Sequence, residues 1–595
     1  MKTSRTKLAA GLIACVLAGG VLSAQDRSAP ESLLPPGFGD PAPTPTPTPR
    51  PADPGSAPAP GAPLTVQPLP APSITPTPTP TPSPTYTPEP LTAQDMLEYE
   101  LPAYARRSLA RVGASGDFAA SGFGDADGVY VERLMRSLDA PIASRWLSIA
   151  LRRMLVSRID TPARVNGADF AAERAWLLLR MGESVAARDV AQAVDLENHT
   201  PKLYQIAMQA ALATGDPAAL CPLEPFARET SNEAGWALAE AMCAGMAGEP
   251  RRAGQIIDAL RRSRVASGTD LLLAEKVLGA GAQGRRAVTI EWDDVQQLTA
   301  WRYGLAMATG VDIPEPLLQT VGPHVRSWLA LSPIVPVQDR IRAAEAAAGW
   351  GVLSNLALVD LWGAVEESDT ASAIDAGAAR DLRTAYSAGN AAERIAAMRS
   401  LWSAPEDARA RFARSILTAR AATRIVPSAE QAGAADALVA SMLTGGFDLS
   451  AARWRPFVPE GSDAWAMIAL TDPQAGQPLS ANAVESYAAS ATDRKAQLFL
   501  AGMAGTGRIA PGAVQDLAQT VGVPIGAQNA WTQAIRRAAN DGQAATVILL
   551  AGVGMQTREW AGVSPLALYH ITAALNAVGL KGEARMIAAE AIARS

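Results

Sequence analysis

The residue types that could hold a metal ion or attack a substrate are few and widely separated in this sequence. The chain has three histidines, His199, His324 and His570. It contains neither an HExxH nor a CxxC pair, which are spacings that bring zinc ligands together. It also lacks the GxSxG and SxxK motifs of serine acyl-transfer enzymes and the loop that cradles nucleotide phosphates. We therefore predict no catalytic residue, no cofactor and no metal site.

One acidic cluster could nevertheless act on a polymer. Glu291, Asp293 and Asp294 flank Trp292, and glycosidases use a pair of carboxylates to cleave sugar polymers. The alternative interpretation is structural, because acidic residues favour the first turn of a helix. We favour this interpretation and expect a helix that runs from the cluster to Ala308.

A glycine motif at residues 279–284 matches the GxGxxG pattern of dinucleotide-binding loops. Such a loop requires a strand before it and a helix after it. Here a helical pattern, residues 271–278, precedes the glycines. The sequence therefore predicts a loop between helices at this point, and not a nucleotide site.

Residues 1–24 have the pattern of a secretory signal peptide. Lys2, Arg5 and Lys7 precede an apolar stretch that ends at Leu22, and Ser23 and Ala24 are small residues suited to cleavage. The stretch is shorter than the ~20 residues that span a bilayer. We expect an exported chain, located in the periplasm or cell envelope, with no membrane span in its mature form.

Residues 12–15 also resemble a bacterial lipobox, in which Cys15 would become the lipidated N-terminus. The alternative location is therefore the outer membrane, with a lipid anchor at Cys15. The apolar run continues beyond Cys15 to Leu22, which favours a cleaved signal peptide.

Residues 25–91 are rich in proline, threonine and alanine, with alternating Thr-Pro pairs at 44–49 and 75–82. Proline removes backbone donors and fixes φ, so this segment cannot enter a helix or a sheet interior. We predict a disordered, extended linker. A ligand for a peptide-binding domain or a glycosylated stalk is the alternative interpretation.

Helical patterns follow the linker as far as the end of the chain. Thr92 can cap the first of them, and further helices are predicted at 144–157, 168–181, 203–213, 233–247 and 254–262. The best strand candidate, residues 287–292, is short. We divide the helical part into domains at 92–285, 286–430 and 431–595.

The formal net charge of the chain is −6. Proteins that bind nucleic acids usually carry an excess of lysine and arginine, so we expect no nucleic-acid partner.

A glycine followed by an acidic residue recurs at Gly182, Gly215 and Gly248, at intervals of 33 residues. Glycine supplies the left-handed residue at a helix C-terminus, and the acid favours the start of the next helix. A period of this length is typical of stacked helical hairpins.

These units resemble the tetratricopeptide repeat over about residues 168–265. Small residues stand at the family's helix-crossing positions, namely Ala175, Ala187, Ala241 and Ala253, with partial matches at Gly579, Ala584 and Ala591. The middle unit departs from the pattern, since Leu220 replaces the expected alanine and Cys221-Pro222 interrupts its second helix. The resemblance implies an all-α fold, an α-solenoid of stacked hairpins.

In such a hairpin, antiparallel helices bring residues about 22 positions apart close together. Cys221 and Cys243 have this separation and are the only cysteines left after export, so we expect a disulfide in an oxidising compartment. The alternative is a pair of buried free thiols. The tryptophans of the helical patterns are expected to pack between helices or, alternatively, to line a groove: Trp176, Trp236, Trp301, Trp350, Trp362 and Trp402.

The resemblance implies a non-enzymatic scaffold that presents a surface to an unknown protein or peptide partner in the cell envelope. The alternative is an enzyme that binds or hydrolyses an envelope polymer such as peptidoglycan, with its acidic site near Glu291 and Asp294. Lytic transglycosylases also carry helical solenoids, but the sequence lacks the motifs of their catalytic domain.

Overall fold

The computed structural model of the chain describes residue 102, residues 104–280 and residues 288–595. The predicted signal peptide, Cys15, the linker, the helix start at Thr92 and residues 281–284 of the glycine motif lie outside the described residues. Within them the fold is all-α apart from one pair of two-residue strands. None of the described helices is long and apolar enough to cross a membrane.

The described residues form 27 α-helices. In chain order they are α1 (Gly128–Ser137), α2 (Arg145–Val156), α3 (Gly167–Arg180), α4 (Ser184–Gln192), α5 (Pro201–Ala213), α6 (Glu224–Thr230), α7 (Ala234–Met246), α8 (Pro250–Ser263), α9 (Gly268–Ala280), α10 (Ala300–Thr309), α11 (Glu315–Leu318), α12 (Pro323–Leu331), α13 (Val337–Gly349), α14 (Asn355–Glu366), α15 (Ala373–Ser387), α16 (Ala391–Ser403), α17 (Ala408–Ala422), α18 (Ala435–Thr444), α19 (Asp448–Ala452), α20 (Asp463–Thr471), α21 (Ala481–Ser490), α22 (Asp493–Gly505), α23 (Pro511–Val521), α24 (Ala530–Asn540), α25 (Ala544–Gly554), α26 (Pro565–Ala577) and α27 (Lys581–Ala593).

Two strands, β1 (Arg111–Val112) and β2 (Ile159–Asp160), pair in antiparallel fashion with Arg111 opposite Asp160. Short 3-10 segments connect several helices at Leu196–Asn198, Pro217–Leu220, Ala429–Ala434, Arg455–Phe457 and Trp560–Gly562.

Side-chain caps determine where many of these helices begin. Ser144 accepts a hydrogen bond from the amide of Leu147 at the start of α2, and Thr200 accepts one from Leu203 at the start of α5. Each cap satisfies one of the backbone donors that a helix leaves unpaired at its N-terminus. Both helices begin within two residues of the predicted positions.

Two stretches predicted to be helix or strand have neither structure. Residues 288–292 form no strand, and the helix expected from the acidic cluster begins only at Ala300. Asp293 and Asp294 lie in a turn, where aspartate is favoured, and Thr299 caps the helix by accepting from the amide of Arg302. The cluster is therefore not the first turn of a helix.

The segment from residue 104 to residue 127 also contains turns and β1 where the sequence predicts helix. It includes four glycines, Gly113, Gly116, Gly122 and Gly124. Each glycine in a helix interior costs ~1 kcal/mol relative to alanine, so a helix is disfavoured here.

Glycine ends α3, α5 and α7 in the same way. Gly182, Gly215 and Gly248 have φ values of +87°, +67° and +83°. At each, the amides of the glycine and of the following acid donate to carbonyls three and five residues back, which is the Schellman motif. The predicted repeat turns therefore lie at helix ends in the structure.

The described helices stack as hairpins in the region of the repeat. Helix α3 packs against α4, α7 packs against α8, and α5 packs against both α3 and α4. In the middle unit the second helix is replaced by the segment Pro217–Leu220 and by α6. A disulfide joins Cys221, at this interruption, to Cys243 of α7, with their Cα atoms 5.4 Å apart, which confirms the predicted pairing.

The first described helices also pack against the last ones. Helix α2 contacts α25 and α27, and α1 contacts α25. Glu590 of α27 accepts hydrogen bonds from the Ser144 hydroxyl, at 2.7 Å, and from the Arg145 amide, at 3.0 Å. The buried Arg145 guanidinium donates to the carbonyls of Ala348 and Thr444, both at 2.9 Å. One arginine thus connects α2 to the ends of α13 and α18, and the stack closes on itself.

Candidate binding groove

The three histidines lie on different elements and each packs against its own aromatic neighbour. His324 lies on α12 against Trp328 with ring centroids 5.2 Å apart, and burial lowers its pKa to about 4. His570 lies on α26, and burial lowers its pKa as well. Among the residues that the structure describes, no group of three or more His, Cys, Asp or Glu side chains could hold a metal ion.

The acidic cluster before α10 is a surface loop. Glu291, Asp293 and Asp294 are exposed. The half-buried Trp292 is held by a hydrogen bond from its indole Nε1 to the Asp312 carbonyl at 3.0 Å. None of the three acids lines any of four cavities in the described part of the chain, which lie in the repeat region, beside α20 and between α2 and α27.

The tryptophans singled out in the sequence pack between helices. Trp236, Trp301 and Trp362 are fully buried, and Trp176 is nearly so. Arg414 lies over the Trp362 ring, 4.2 Å from its centroid, a cation–π contact. None of the six predicted tryptophans lines the groove described next.

The repeat region carries a cavity of about 330 Å³, which we call the apolar chamber. One wall is Ala191 of α4, and a second wall is Ala207 and Ala211 of α5. Pro222 and Leu223 close the third side, directly after the disulfide-bonded Cys221. Small side chains on α4 and α5 therefore leave space that the interrupted second helix of the middle unit does not fill.

His199 also lines the apolar chamber. Its ring packs against Tyr204 with centroids 5.0 Å apart, and its Nε2 lies 3.2 Å from the Val194 carbonyl oxygen. Burial lowers the pKa of His199, which favours the neutral form of the ring. The chamber thus offers a ligand apolar walls and one polar ring.

A second cavity of about 550 Å³ adjoins the first, and we call it the arginine chamber. The two chambers share Arg107 and Gln192 in their walls. The backbone amide of Arg107 donates to Asp195 Oδ2 at 2.7 Å, and its guanidinium donates to the Gln192 carbonyl. Arg107 therefore stands on the boundary between the chambers. Together they form what we call the repeat groove.

Three arginines and one aspartate supply the charge of the arginine chamber. Arg111 donates through Nε to Asp160 at 2.6 Å, which leaves its terminal nitrogens without a partner among the described residues. Arg158 is exposed, and its side chain makes no hydrogen bond or ion pair with a described residue. Asp189 is the lining carboxylate. The chamber therefore presents spare guanidinium donors, which suit carboxylate ligands.

The chain matches no known protein family, no curated protein and no solved structure.

Two smaller cavities have less to offer a ligand. One, of about 260 Å³, lies beside α20 and is lined by Arg455 and Arg508. Both arginines are already engaged with Asp472: Arg455 pairs with its carboxylate at 2.8 Å, and Arg508 donates to its carbonyl at 2.7 Å. The other, of about 250 Å³, lies between α2 and α27. The repeat groove is the candidate site that the described residues favour.

Proposed function

We propose that the chain is an exported, non-enzymatic helical-repeat scaffold of the cell envelope, and that the repeat groove binds a segment of a protein or peptide partner. The observation that carries this proposal is the junction of an apolar chamber and an arginine chamber at Arg107. Binding sites in this size range combine apolar walls with a few well-placed polar groups. A peptide can place an apolar side chain in one chamber and a neighbouring charged side chain in the other.

Two observations support the cellular location in this proposal. The disulfide between Cys221 and Cys243 is a feature of chains that fold in an oxidising compartment. The first 24 residues have the pattern of a cleaved signal peptide. Cell fractionation tests the location, and the mature chain is expected in the periplasmic fraction with Gln25 as its first residue. A palmitate label that disappears in Cys15→Ser would show an outer-membrane lipoprotein instead.

The binding role is tested by affinity capture from a cell-envelope extract with three baits. These are the mature chain, Arg158→Glu in the groove, and Arg399→Glu as a matched control. Arg399 is an exposed arginine of α16, so the control changes charge equally but away from the groove. We expect one stoichiometric protein with the first and third baits and a loss of at least tenfold with Arg158→Glu.

Two outcomes would contradict the proposal. Equal capture by Arg158→Glu would remove the groove from the binding site. Binding or cleavage of isolated peptidoglycan, without any captured protein, would favour the alternative of an enzyme acting on an envelope polymer. In that case Glu291→Gln and Asp294→Asn should abolish cleavage.

A further inference from the structure

The described chain begins at the rim of the repeat groove. Arg107, on the boundary between the chambers, is only a few residues from the first described position. Tyr104, three residues earlier, is 91% exposed and is the most exposed large hydrophobic side chain in the described part of the chain. Along the chain, the described residues therefore begin close to a residue that lines the groove, and an exposed aromatic ring lies between the two.

Residues 89–101, which precede this point, have a distinctive composition. They contain four acids and no lysine or arginine: Glu89, Asp95, Glu98 and Glu100. They also contain five large apolar side chains: Leu91, Met96, Leu97, Tyr99 and Leu101. The preceding proline-rich residues 25–88 carry both signs of charge, with arginines at Arg27 and Arg50. The acidic and apolar character is therefore concentrated in the part of the chain nearest the groove.

This composition is complementary to the two chambers. The carboxylates match the spare guanidinium donors of Arg111 and Arg158, and charge-assisted pairs of this kind are the stronger hydrogen bonds. The apolar side chains match the alanine, proline and leucine walls of the apolar chamber, where their burial is favourable. An acidic, apolar segment is the kind of ligand that this groove should accept.

The segment is also close enough to reach the groove. Five residues lie between Leu101 and Arg107, and six extended steps of ~3.3–3.6 Å along the chain span at most about 20 Å. A ligand tethered by so short a connection has an effective concentration on the order of millimolar. A segment that binds in its untethered form with a dissociation constant of about 0.1 mM would therefore occupy the groove about 90% of the time.

We propose that residues 89–101 occupy the repeat groove of their own chain, with carboxylates facing Arg111 and Arg158 and apolar side chains in the apolar chamber. The segment then competes with any external partner for the same surface. This competition rests on the proposed function, whereas the occupancy does not. A partner must match the segment's chemistry and displace it.

The experiment is hydrogen–deuterium exchange with mass spectrometry on the full mature chain, with no partner present. In the wild type, amides of residues 89–101 should exchange at least tenfold more slowly than those of residues 60–80 after correction for sequence. In Arg158→Glu this protection should fall to the level of the linker, and Arg399→Glu should leave it unchanged. Circular dichroism confirms that each variant folds.

Charge reversal on the segment provides the decisive variant. Adding Glu98→Arg and Glu100→Arg to Arg158→Glu restores opposite charges, so the protection should return, whereas the same two substitutions in the wild-type groove should abolish it. Unprotected residues 89–101 in the wild type, or protection unaffected by Arg158→Glu, would overturn the proposal. Protection that rises with protein concentration would instead show that the segment binds a second copy. Because no partner is used, failure here is distinct from failure of the capture experiment.

Discussion

Substitution of Glu590 should weaken the contact between the last helix of the stack, α27, and α2 near its start. Its carboxylate accepts from the Ser144 hydroxyl and from the amides of Arg145 and Trp146, at distances of 2.7, 3.0 and 3.3 Å. It also pairs with Arg594 at 2.8 Å, and its side chain is 3% exposed. A buried carboxylate on α27 thus caps the N-terminus of α2, which also favours negative charge because of the helix dipole.

The expected magnitude follows from the donors that would lose their acceptor. A hydrogen bond to a charged group contributes roughly 1.5–3 kcal/mol, and a buried donor left unpaired costs a similar amount. Removing one member of a buried ion pair typically costs about 3–5 kcal/mol. We therefore expect Glu590→Ala to destabilise the α2–α27 contact by about 3–5 kcal/mol. Glu590→Gln, which keeps one acceptor oxygen, should cost about half as much.

Glu583 provides a matched control on the same helix. It pairs with Arg153 of α2 at 3.1 Å, but the two side chains are 22% and 48% exposed, and exposed ion pairs contribute only about 0–1 kcal/mol. A repeat protein need not unfold in one step, so the assay is hydrogen exchange of amides in α2 and α27. Glu590→Ala should accelerate it more than about a hundredfold. If Glu590→Ala had no more effect than Glu583→Ala, the closure would not depend on this carboxylate.

The repeat turns, the disulfide and one buried acid each allow a further test. Gly182→Ala should lower the melting temperature more than Gly248→Ala. An added Cβ would lie 2.5 Å from a side-chain atom of α12 at residue 182, but would meet nothing within 4 Å at residue 248. Equal shifts in melting temperature would contradict this. Replacing Cys221 and Cys243 by serine should lower the free energy of local opening, measured by hydrogen exchange of amides in α7, by roughly 3 kcal/mol for a loop of this length. Burial raises the pKa of Glu183 from 4.5 to about 7, so the folded state holds this proton more tightly and stability falls as pH rises through that range. Melting temperatures of wild type and Glu183→Gln should agree near pH 4.5 and differ at pH 8, with the variant higher, whereas parallel profiles would refute the assignment.

The helix ends at the repeated glycines were readable from the sequence. Gly182, Gly215 and Gly248 each end a helix, because a left-handed residue is needed there and glycine adopts it without strain. The caps Ser144, Thr200 and Thr299 are found only in the structure. The same glycine turn recurs at Gly351, Gly507, Gly542 and Gly579, all with positive φ. There the next residue is Val, Arg, Gln or Leu, so the glycine–acid pattern that revealed the first three turns is absent.

The closure of the stack had no signal in the sequence. Arg145 and Glu590 lie 445 residues apart, and neither belongs to a motif. The tetratricopeptide resemblance implies units that contact only their neighbours, whereas α2 contacts α25 and α27. Whether two such distant helices meet depends on the total rotation of the stack, which adds up from one hairpin to the next. No local sequence pattern determines that total.

The groove could not be predicted for a related reason, because part of its lining lies outside the repeat. Arg107, Arg111 and Arg158 come from the segments before and after α2, whereas Ala191 and Ala207 come from the hairpins. The glycines and cysteines of this region follow recognisable spacings, whereas none of these arginines belongs to a motif. Arginine is frequent and usually exposed, so its convergence becomes visible only in three dimensions.

A buried arginine holds the two parts of the groove together. Arg174 of α3 is fully buried and donates to the carbonyls of Val112 in β1 and of Leu155 in α2. These bonds fix the strand that carries Arg111 against the first repeat hairpin. The arginine chamber is thus an addition to the repeat, anchored through its core. The ligand preference of the groove should accordingly follow from the added arginines, and proteins that share only the repeat should not share it.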